Sequence, residues 1–431
     1  MNVTIIGAGL AGCECAYTLA KHDIPVTLID MKPHTRTPAH HSDNLCELVC
    51  SNSFRGDRLE NAAGLLKAEM RILGSLILEA ADATKVAAGG ALAVDRQAFE
   101  RYVTEQVKTH PLINIVSQEV TELPEDRPLI IATGPLTTNS LSSDIQSLIG
   151  TEFLSFYDAA APLISSDSVD MEFAYVGDRY GKGNGDYINC PMDKEQYLAF
   201  REELANAKQA PVHGFEDTKV FEGCMPVEVL ARRGKDTLRY GPLKPIGLRD
   251  PRTDKGSYAV VQLRRDNTEG TILNIVGFQN HLTFGEQKRV FSMIPALHSA
   301  EFLRFGVMHR NTFINSPKLL TPEYMLKSQP GIYFTGQITG VEGYIESAAS
   351  GLTVALAIIK NEELKLPNET ALGALSRHIS GLDAKEFQPM NINFGIIPKL
   401  DIEIKDKTER YRQTSERAIK ILTNWKEEIK L

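Results

Sequence analysis

The sequence is short of the residues that build secreted, metal-stapled or membrane-spanning proteins. Its 431 residues include six cysteines (Cys13, Cys15, Cys46, Cys50, Cys190 and Cys224) and a single tryptophan, Trp425. Thiols this sparse have neither the density of a disulfide scaffold nor the paired spacing of a zinc site, so they read as free thiols in a reducing compartment. His40 and His41 come nearest to a metal pair, but adjacent histidines on an extended loop point apart and no acid or thiol completes a ligand set. No metal is expected. No apolar run reaches the roughly 20 residues that cross a bilayer, and no charged leader with a cleavage site precedes the first strand. Both absences point to a cytoplasmic protein with no membrane partner. Positive charge is scarce too: 47 Lys and Arg face 55 Asp and Glu, a formal −8, which argues against wholesale coating of nucleic acid. The distribution is uneven, however. Between Lys219 and Arg265 eleven Lys and Arg meet five Asp and Glu, a local +6 that leaves −14 on the rest of the chain. Solvated surface is the ordinary reading of such a run, and a docking face for a polyanion is the functional one.

What the sequence does have begins at its first residues. The β-type run Val3-Thr4-Ile5-Ile6 leads directly into Gly7-Ala8-Gly9-Leu10-Ala11-Gly12, then an amphipathic helix, then a second β-rich run, Val26 to Ile29, ending in Asp30. A Gly-x-Gly-x-x-Gly alone is a weak signal. Here it follows a strand, opens a helix and is answered by an acid roughly 20 residues later, the context of a dinucleotide fingerprint. The glycines let the backbone turn and approach a pyrophosphate, and the helix N-terminus offers free N–H donors.

The segment from Met31 to Ser53 lacks periodicity and reads as a long loop at the carboxyl end of the second strand, where ligands of doubly wound sheets sit. A helical stretch spans Leu59 to Ala81, and another helix runs from Arg96 to Lys108. The strand Pro128 to Ala132 ends in Thr133-Gly134. Strands and turns then alternate from about Phe156 to Phe278, suggesting an inserted α+β domain. Late in the chain, the strand Gly331 to Phe334 ends in Thr335-Gly336 and opens onto a small-residue helix, preceded by Gly343-Tyr344-Ile345-Glu346-Ser347. A nicotinamide dehydrogenase has no need of that distant element, whereas a two-dinucleotide-domain flavoprotein closes one sheet from such distant segments. The fold class expected is therefore α/β, a Rossmann-like FAD-binding domain in two parts (1–155 and 305–431) around an inserted α+β domain (156–304). Backbone amides from Gly343 to Ser347 would face the flavin or pyrophosphate.

Several longer stretches carry a more specific likeness: Thr37 to His41, Glu47-Leu48-Val49-Cys50-Ser51-Asn52-Ser53, Phe221-Glu222-Gly223-Cys224-Met225-Pro226-Val227-Glu228, Val307 to Asn315, and Thr339 to Tyr344. In these, and nearly end to end, the chain resembles the bacterial TrmFO family, folate- and FAD-dependent tRNA (uracil-5-)-methyltransferases related to GidA/MnmG. The resemblance implies methylation of the T-loop uridine U54 at C5. The methylene carbon would come from 5,10-methylenetetrahydrofolate and the reducing equivalents from NAD(P)H through FAD, with S-adenosylmethionine unused.

That chemistry has definite requirements. Uracil C5 is a poor nucleophile until a thiolate adds to C6, and a base must later remove the C5 proton. On the resemblance, Cys224 is the nucleophile and Cys50 the second catalytic thiol, with the division of roles between them open. Cys224 lies in the basic segment, where nearby cations favour a thiolate. A small buried core residue is the usual fate of a free cysteine; Cys46 is assigned to such packing, Cys13 and Cys15 to the core or surface of the first helix, and Cys190 is given no chemical role. For FAD, the fingerprint residues Gly7, Ala8, Gly9, Leu10, Ala11, Gly12 and Asp30 are joined through the resemblance by Lys32, Arg96, Val120, Thr133, Gly134, Gly336, Gln337, Glu346 and Ser347. Asp30 is shorter than the Glu usual at this family position. His281 is the candidate for stacking on the pterin, Tyr344 for lining the flavin side, and His309, Arg310 and Asn311 for further folate contacts. RNA phosphates would meet Arg232, Arg233, Arg239, Lys244, Arg249, Arg264 and Arg265, with Lys405, Lys407, Arg410 and Arg412 of the C-terminal helix, while the target base flips out of its stack. The same chemistry on a ribosomal RNA uridine is the near alternative. A thiol oxidoreductase using Cys46 and Cys50, and an RNA-binding protein keeping FAD for structure only, are the alternatives from other classes. Oligomeric state is left open.

Overall fold

The computed structural model describes residues 1–37, 39–150, 154–159, 161–181, 183, 185–210, 225–306, 308–361, 363–381 and 387–430, with the side chains of 154–159 and 308–310 excluded. The first strand, Val3–Ile6, is wholly buried and sits at the centre of a five-stranded parallel sheet. In spatial order the strands are Ile332–Phe334, Leu129–Ile131, Val3–Ile6, Val26–Asp30 and Ile113–Ser117. The late strand pairs in parallel with Leu129–Ile131, Ile332 opposite Leu129, so one sheet is closed from segments about 200 residues apart, as the sequence leads one to expect. Strands buried on both faces read as continuous apolar runs, which is why Val3 to Ile6 and Leu129 to Ile131 carry no alternation.

Helices cover this sheet at close range. Gly351, in the helix Tyr344–Lys360, lies against the helix Leu10–Lys21 so tightly that a Cβ there would overlap the Ala11 carbonyl oxygen. The C-terminal helix Lys407–Glu428 docks on the helix Ala62–Ile72, burying Trp425 and placing Lys426 Nζ 2.7 Å from the Ile72 carbonyl. The expected single helix over Leu59 to Ala81 is two, Ala62–Ile72 and Leu76–Ala83. Gly74 breaks it with φ +78°, and Ser75 caps the second helix by accepting from the Leu78 amide. Buried carboxyls finish such caps: Glu14 accepts from Ser75, Leu76 and Ile77, and Glu69 accepts from Ala371 and Leu372 at the start of the helix Ala371–Ser380.

The inserted region carries a second core. A six-stranded sheet, in spatial order Tyr175–Val176, Tyr187–Met192, Ala259–Arg265, Ile272–Ile275, Leu163–Ser165 and Phe302–Arg304, buries Cys190, Val261, Leu263 and Ile275 against the helices Lys194–Asn206, Val227–Arg233 and Phe284–Phe291. The antiparallel ribbon of Leu154–Ala159 with Met308–Phe313 lies where the chain enters and leaves this region.

Two expectations follow. Gly351→Ala forces the clasped helices apart and lowers stability by about 1–3 kcal/mol, read as a lower unfolding midpoint. Burial lifts the Glu69 carboxyl from its ordinary 4.5 to about 8, and likewise lifts Glu14 to about 7. Between about 4.5 and about 8, unfolding therefore releases the Glu69 proton. The stability this group contributes is fully present below that window and lost as pH rises through it. In urea titrations across this range, Glu69→Gln flattens the fall.

Candidate functional site

The glycines of the first turn do different jobs. Gly7 has φ +101° and lies against the backbone of Ala132, and a Cβ on Gly12 would overlap the Gly7 carbonyl, so both serve close packing of helix on strand. Gly9 caps the helix Leu10–Lys21 without a side chain, and a Cβ there would meet nothing within 4 Å. Its open side faces a cavity that runs past Leu10, Ala11, Asp30, Lys32, Val120, Thr133 and Gly134 to Gly336, Gln337, Tyr344 and Ser347. The first turns of two helices, Leu10–Lys21 and Tyr344–Lys360, therefore line one space, and helix N-termini of this kind accept phosphate. Cavity, glycine cradle and free helix ends together fit a dinucleotide.

Most of the cofactor residues expected from the sequence line that cavity. Several are already engaged with the protein. The Asp30 carboxylate accepts from the Ala8 amide at 2.7 Å and the Lys32 amide at 2.9 Å, tying the loop to the strand end. Lys32 Nζ donates to the Asn44 carbonyl and lies 3.9 Å from Glu47. Arg36, His40, Glu47 and Thr137 also line the cavity and were not anticipated. They fall in irregular segments where no spacing marks a ligand contact.

Besides Gly12, four residues assigned to the cofactor do not line the cavity. Arg96 does not line the cavity: its guanidinium makes two bonds to Asp266, Nε to Oδ2 at 3.1 Å and Nη2 to Oδ1 at 3.0 Å, and Nη1 donates to the Leu48 carbonyl. Glu346 is buried, accepts from the Ile392 amide and pairs with Arg55. Ile345 belongs to the core. Gly343, at φ +110°, faces the Glu346 carboxylate and Asn391. These residues shape the site from behind.

Cys46 is the cysteine on the cavity's lining, and Cys50 reaches the cavity through Tyr344. The Cys50 sulfur lies 2.9 Å from the Tyr344 hydroxyl, whose oxygen also accepts from the amides of Cys50 (2.9 Å) and Ser51 (3.2 Å). With two amides donating to that oxygen, the phenolic hydrogen is left to donate to the sulfur. Burial, then the neighbouring Cys50 thiol, holds the Tyr344 phenol well above its ordinary value, so it keeps that hydrogen. Arg96 and Arg304 set positive charge close to both groups. Cys46, by contrast, is buried against Cys13, and burial pushes its thiol up.

Cys224 lies outside the described residues. The segments flanking it are anchored to one turn: Ala210 N donates to the His281 carbonyl and Val227 N to the Gln279 carbonyl. His281 itself is buried, its amide donates to Glu228, and burial lowers its imidazole below the usual value. Asn311 is buried on the ribbon strand Met308–Phe313, with His309 and Arg310 on the same strand.

The basic residues divide. Arg232, Arg233, Arg249, Arg265, Lys405 and Lys407 are exposed. Lys244 is half-buried, and Arg239 lies over the Tyr258 ring, 3.7 Å from its centroid, paired with Asp236. Arg410 is half-buried with its guanidinium over Tyr411, and Arg412 pairs with Glu409 and Glu416. Arg264 is a correction: it is buried, and Nη2 donates to Asn52 Oδ1 at 2.8 Å and Ser51 Oγ at 3.1 Å. It binds the Cys50 loop and presents no surface to RNA. Among the described residues no group of His, Cys, Asp and Glu is arranged to hold a metal, and no helix is long and apolar enough to cross a membrane.

If the Gly9 opening admits a pyrophosphate, Gly9→Val blocks it. Equilibrium dialysis is expected to show at least a tenfold loss of dinucleotide affinity, with the unfolding midpoint of ligand-free protein nearly unchanged, because a Cβ at this position meets no protein atom within 4 Å.

Comparison with known proteins agrees with this architecture. The family described as Glucose inhibited division protein A matches residues 2–364. A protein from Natranaerobius thermophilus named methylenetetrahydrofolate--tRNA-(uracil-5-)-methyltransferase TrmFO is 56% identical over 426 residues, covering 98% of each chain. One of the same name from Listeria monocytogenes is 53% identical over 432 residues, covering 99% of each. Among solved structures, Aquifex aeolicus GidA superposes with a TM-score of 0.72 over 99% of this chain and 73% of that one, at 14% identity, and so shares the fold. The chain belongs to the TrmFO family, within the wider glucose-inhibited division protein A group.

Proposed function

We propose that this protein is a cytoplasmic methylenetetrahydrofolate-dependent methyltransferase that converts a T-loop uridine of tRNA to 5-methyluridine, with FAD as cofactor and NAD(P)H as reductant. The observation that carries the reading is the Cys50 thiol, joined through the Tyr344 hydroxyl to the dinucleotide cavity, in a chain 56% identical to a named TrmFO. Among the residues lining the cavity, the Gly9 opening and the Leu10 and Ala11 amides would hold the pyrophosphate, Asp30 and Lys32 the adenosine end, and Thr133, Gly336, Gln337, Tyr344 and Ser347 the flavin end. Bound there and reduced by NAD(P)H, the flavin would supply the hydride equivalent that turns an exocyclic methylene into a methyl group, returning to its oxidised form.

The residues divide the remaining work. Cys224 adds to uracil C6, which makes C5 nucleophilic toward the folate-borne carbon. Cys50, with the Tyr344 hydroxyl on its sulfur and Arg96 and Arg304 close by, takes the C5 proton. His281, with Asn311, His309 and Arg310, supports the folate. The exposed Arg232, Arg233, Arg249, Arg265, Lys405 and Lys407 contact phosphate, so RNA affinity falls steeply with added salt.

The test uses 5-fluorouridine, whose C5 cannot be deprotonated. Protein purified with its yellow cofactor is expected to form a covalent adduct with a 5-fluorouridine tRNA transcript and methylenetetrahydrofolate, and Cys224→Ala to abolish it. An undiminished adduct in Cys224→Ala removes that residue as nucleophile. With unmodified transcripts, 5-methyluridine found by mass analysis in ribosomal fragments and absent from tRNA moves the substrate to ribosomal RNA.

A further inference from the structure

The inserted sheet turns one face to its own core and the other to the Cys50 loop. Register places Tyr187, Arg264, Asn274, Leu163 and Arg304 side by side across five strands, and paired residues project to the same face. The alternate positions Leu263, Ile275 and Ile164 point into the apolar core. On the polar face the donors outnumber the acceptors. Arg264 spends Nη2 on Ser51 and Asn52, yet Arg264 Nε, Asn274 Nδ2, and Arg304 Nε and Nη2 are buried with no hydrogen-bond partner among the described residues. Asn274 is 3% exposed and Arg264 7%. Buried donors are nearly always matched, so a row of four such nitrogens marks a place for an acceptor.

Its position says which acceptor. None of Arg264, Asn274 and Arg304 lines the dinucleotide cavity. The row instead meets Ser51 and Asn52, directly after Cys50, and Arg304 lies close enough to act electrostatically on Cys50 and Tyr344. A group bound to it sits on the inserted-domain side of the thiol.

We propose that Arg304 and Asn274 hold the O4 carbonyl oxygen of the target uracil and stabilise the negative charge that forms there when the nucleophilic thiolate adds to C6. This rests on the function proposed above. In that step the sulfur–C6 bond forms, the C5=C6 pair moves to C4–C5, and the C4 carbonyl pair moves onto O4 as an enolate. Collapse of the enolate returns that pair as C5 bonds to the folate-borne carbon. A base whose C5 hydrogen faces Cys50 has O4 on the adjacent ring atom, within reach of the same row. Two buried cationic or amide donors aimed at a developing oxyanion make up an oxyanion hole, worth about 10²–10³ in rate per donor.

The test follows the 5-fluorouridine adduct in FAD-loaded protein. Arg304→Gln is expected to slow adduct formation about 100-fold at saturating RNA, with RNA affinity within threefold of the parent and with parental FAD content and rate of flavin reduction by NAD(P)H. Arg304→Lys recovers part of the rate, and Asn274→Ala slows it less. Melting curves establish that each variant is folded. Adduct formation at the parental rate in folded Arg304→Gln and Asn274→Ala overturns the proposal. So does a loss of FAD, or a shifted flavin potential, with an unchanged adduct rate per bound flavin, which makes the row a flavin contact. If the parent itself forms no adduct with any RNA, the proposed function fails first and this assignment falls with it.

Discussion

A buried charge pair between residues 170 apart in sequence fixes how the inserted sheet meets the Cys50 loop. Arg96 and Asp266 bind one another through two bonds, and around them Asp95 accepts from Thr268 while Asn52 donates to the carbonyls of Val94 and Arg265 and accepts from Arg264. The two large apolar clusters lie apart, one in the dinucleotide-type region and one in the inserted region, so the junction depends on directional polar contacts. A buried ion pair adds little net stability over an apolar contact of the same shape, but losing one partner costs about 3–5 kcal/mol. Such contacts therefore act less as adhesive than as register. They permit one docking of the inserted sheet on the loop Cys50 to Asn52, and that docking sets what faces the thiol.

The cavity on the other side of Cys50 arises from a different constraint, how closely backbones approach. Gly7 on Ala132, Gly12 on Gly7 and Gly351 on Ala11 are positions where a Cβ would collide with main chain. Removing side chains there draws the helices Leu10–Lys21 and Tyr344–Lys360 onto the sheet and onto each other, so that both first turns line one space. Tyr344 belongs to both halves of the site. It lines the cavity and, through its hydroxyl, holds Cys50. The cofactor space and the thiol are one hydrogen bond apart because a single side chain bounds both.

The parts of this arrangement that repeat a local rule were legible in the sequence. The strand, glycine turn and helix at the start, the late strand closing the same sheet, and the loop carrying Cys50 all declare themselves by period or spacing. Tyr344 beside Cys50 follows from the family resemblance alone, since nothing local joins residues 294 apart. Arg96 was legible as important and misread as to its use. An arginine opening a helix beside a dinucleotide domain suits a phosphate as well as it suits Asp266, and only the packed structure chooses between them. The helix expected from Leu59 to Ala81 failed at Gly74, where a left-handed residue and a serine cap outweighed an otherwise unbroken apolar period.

The basic segment shows most clearly why charge along a chain is a poor guide to charge on a surface. Arg264 and Arg265 are neighbours in sequence and meet opposite fates, because successive side chains on a strand point to opposite faces. Arg265, at the strand's end, reaches solvent, while Arg264 is drawn with Asp266 into the junction beside Cys50. Arg304 shows the same logic on a strand of three residues, Phe302–Arg304. Its neighbours in the chain are Leu303 and Phe305, so by composition it passes for an incidental surface charge. Its register opposite Leu163, in line with Asn274 and Arg264, gives it a buried seat facing the reactive loop. A run of positive charge that reads as one face is thus divided by strand alternation, part of it left at the surface and part turned inward to the Cys50 loop.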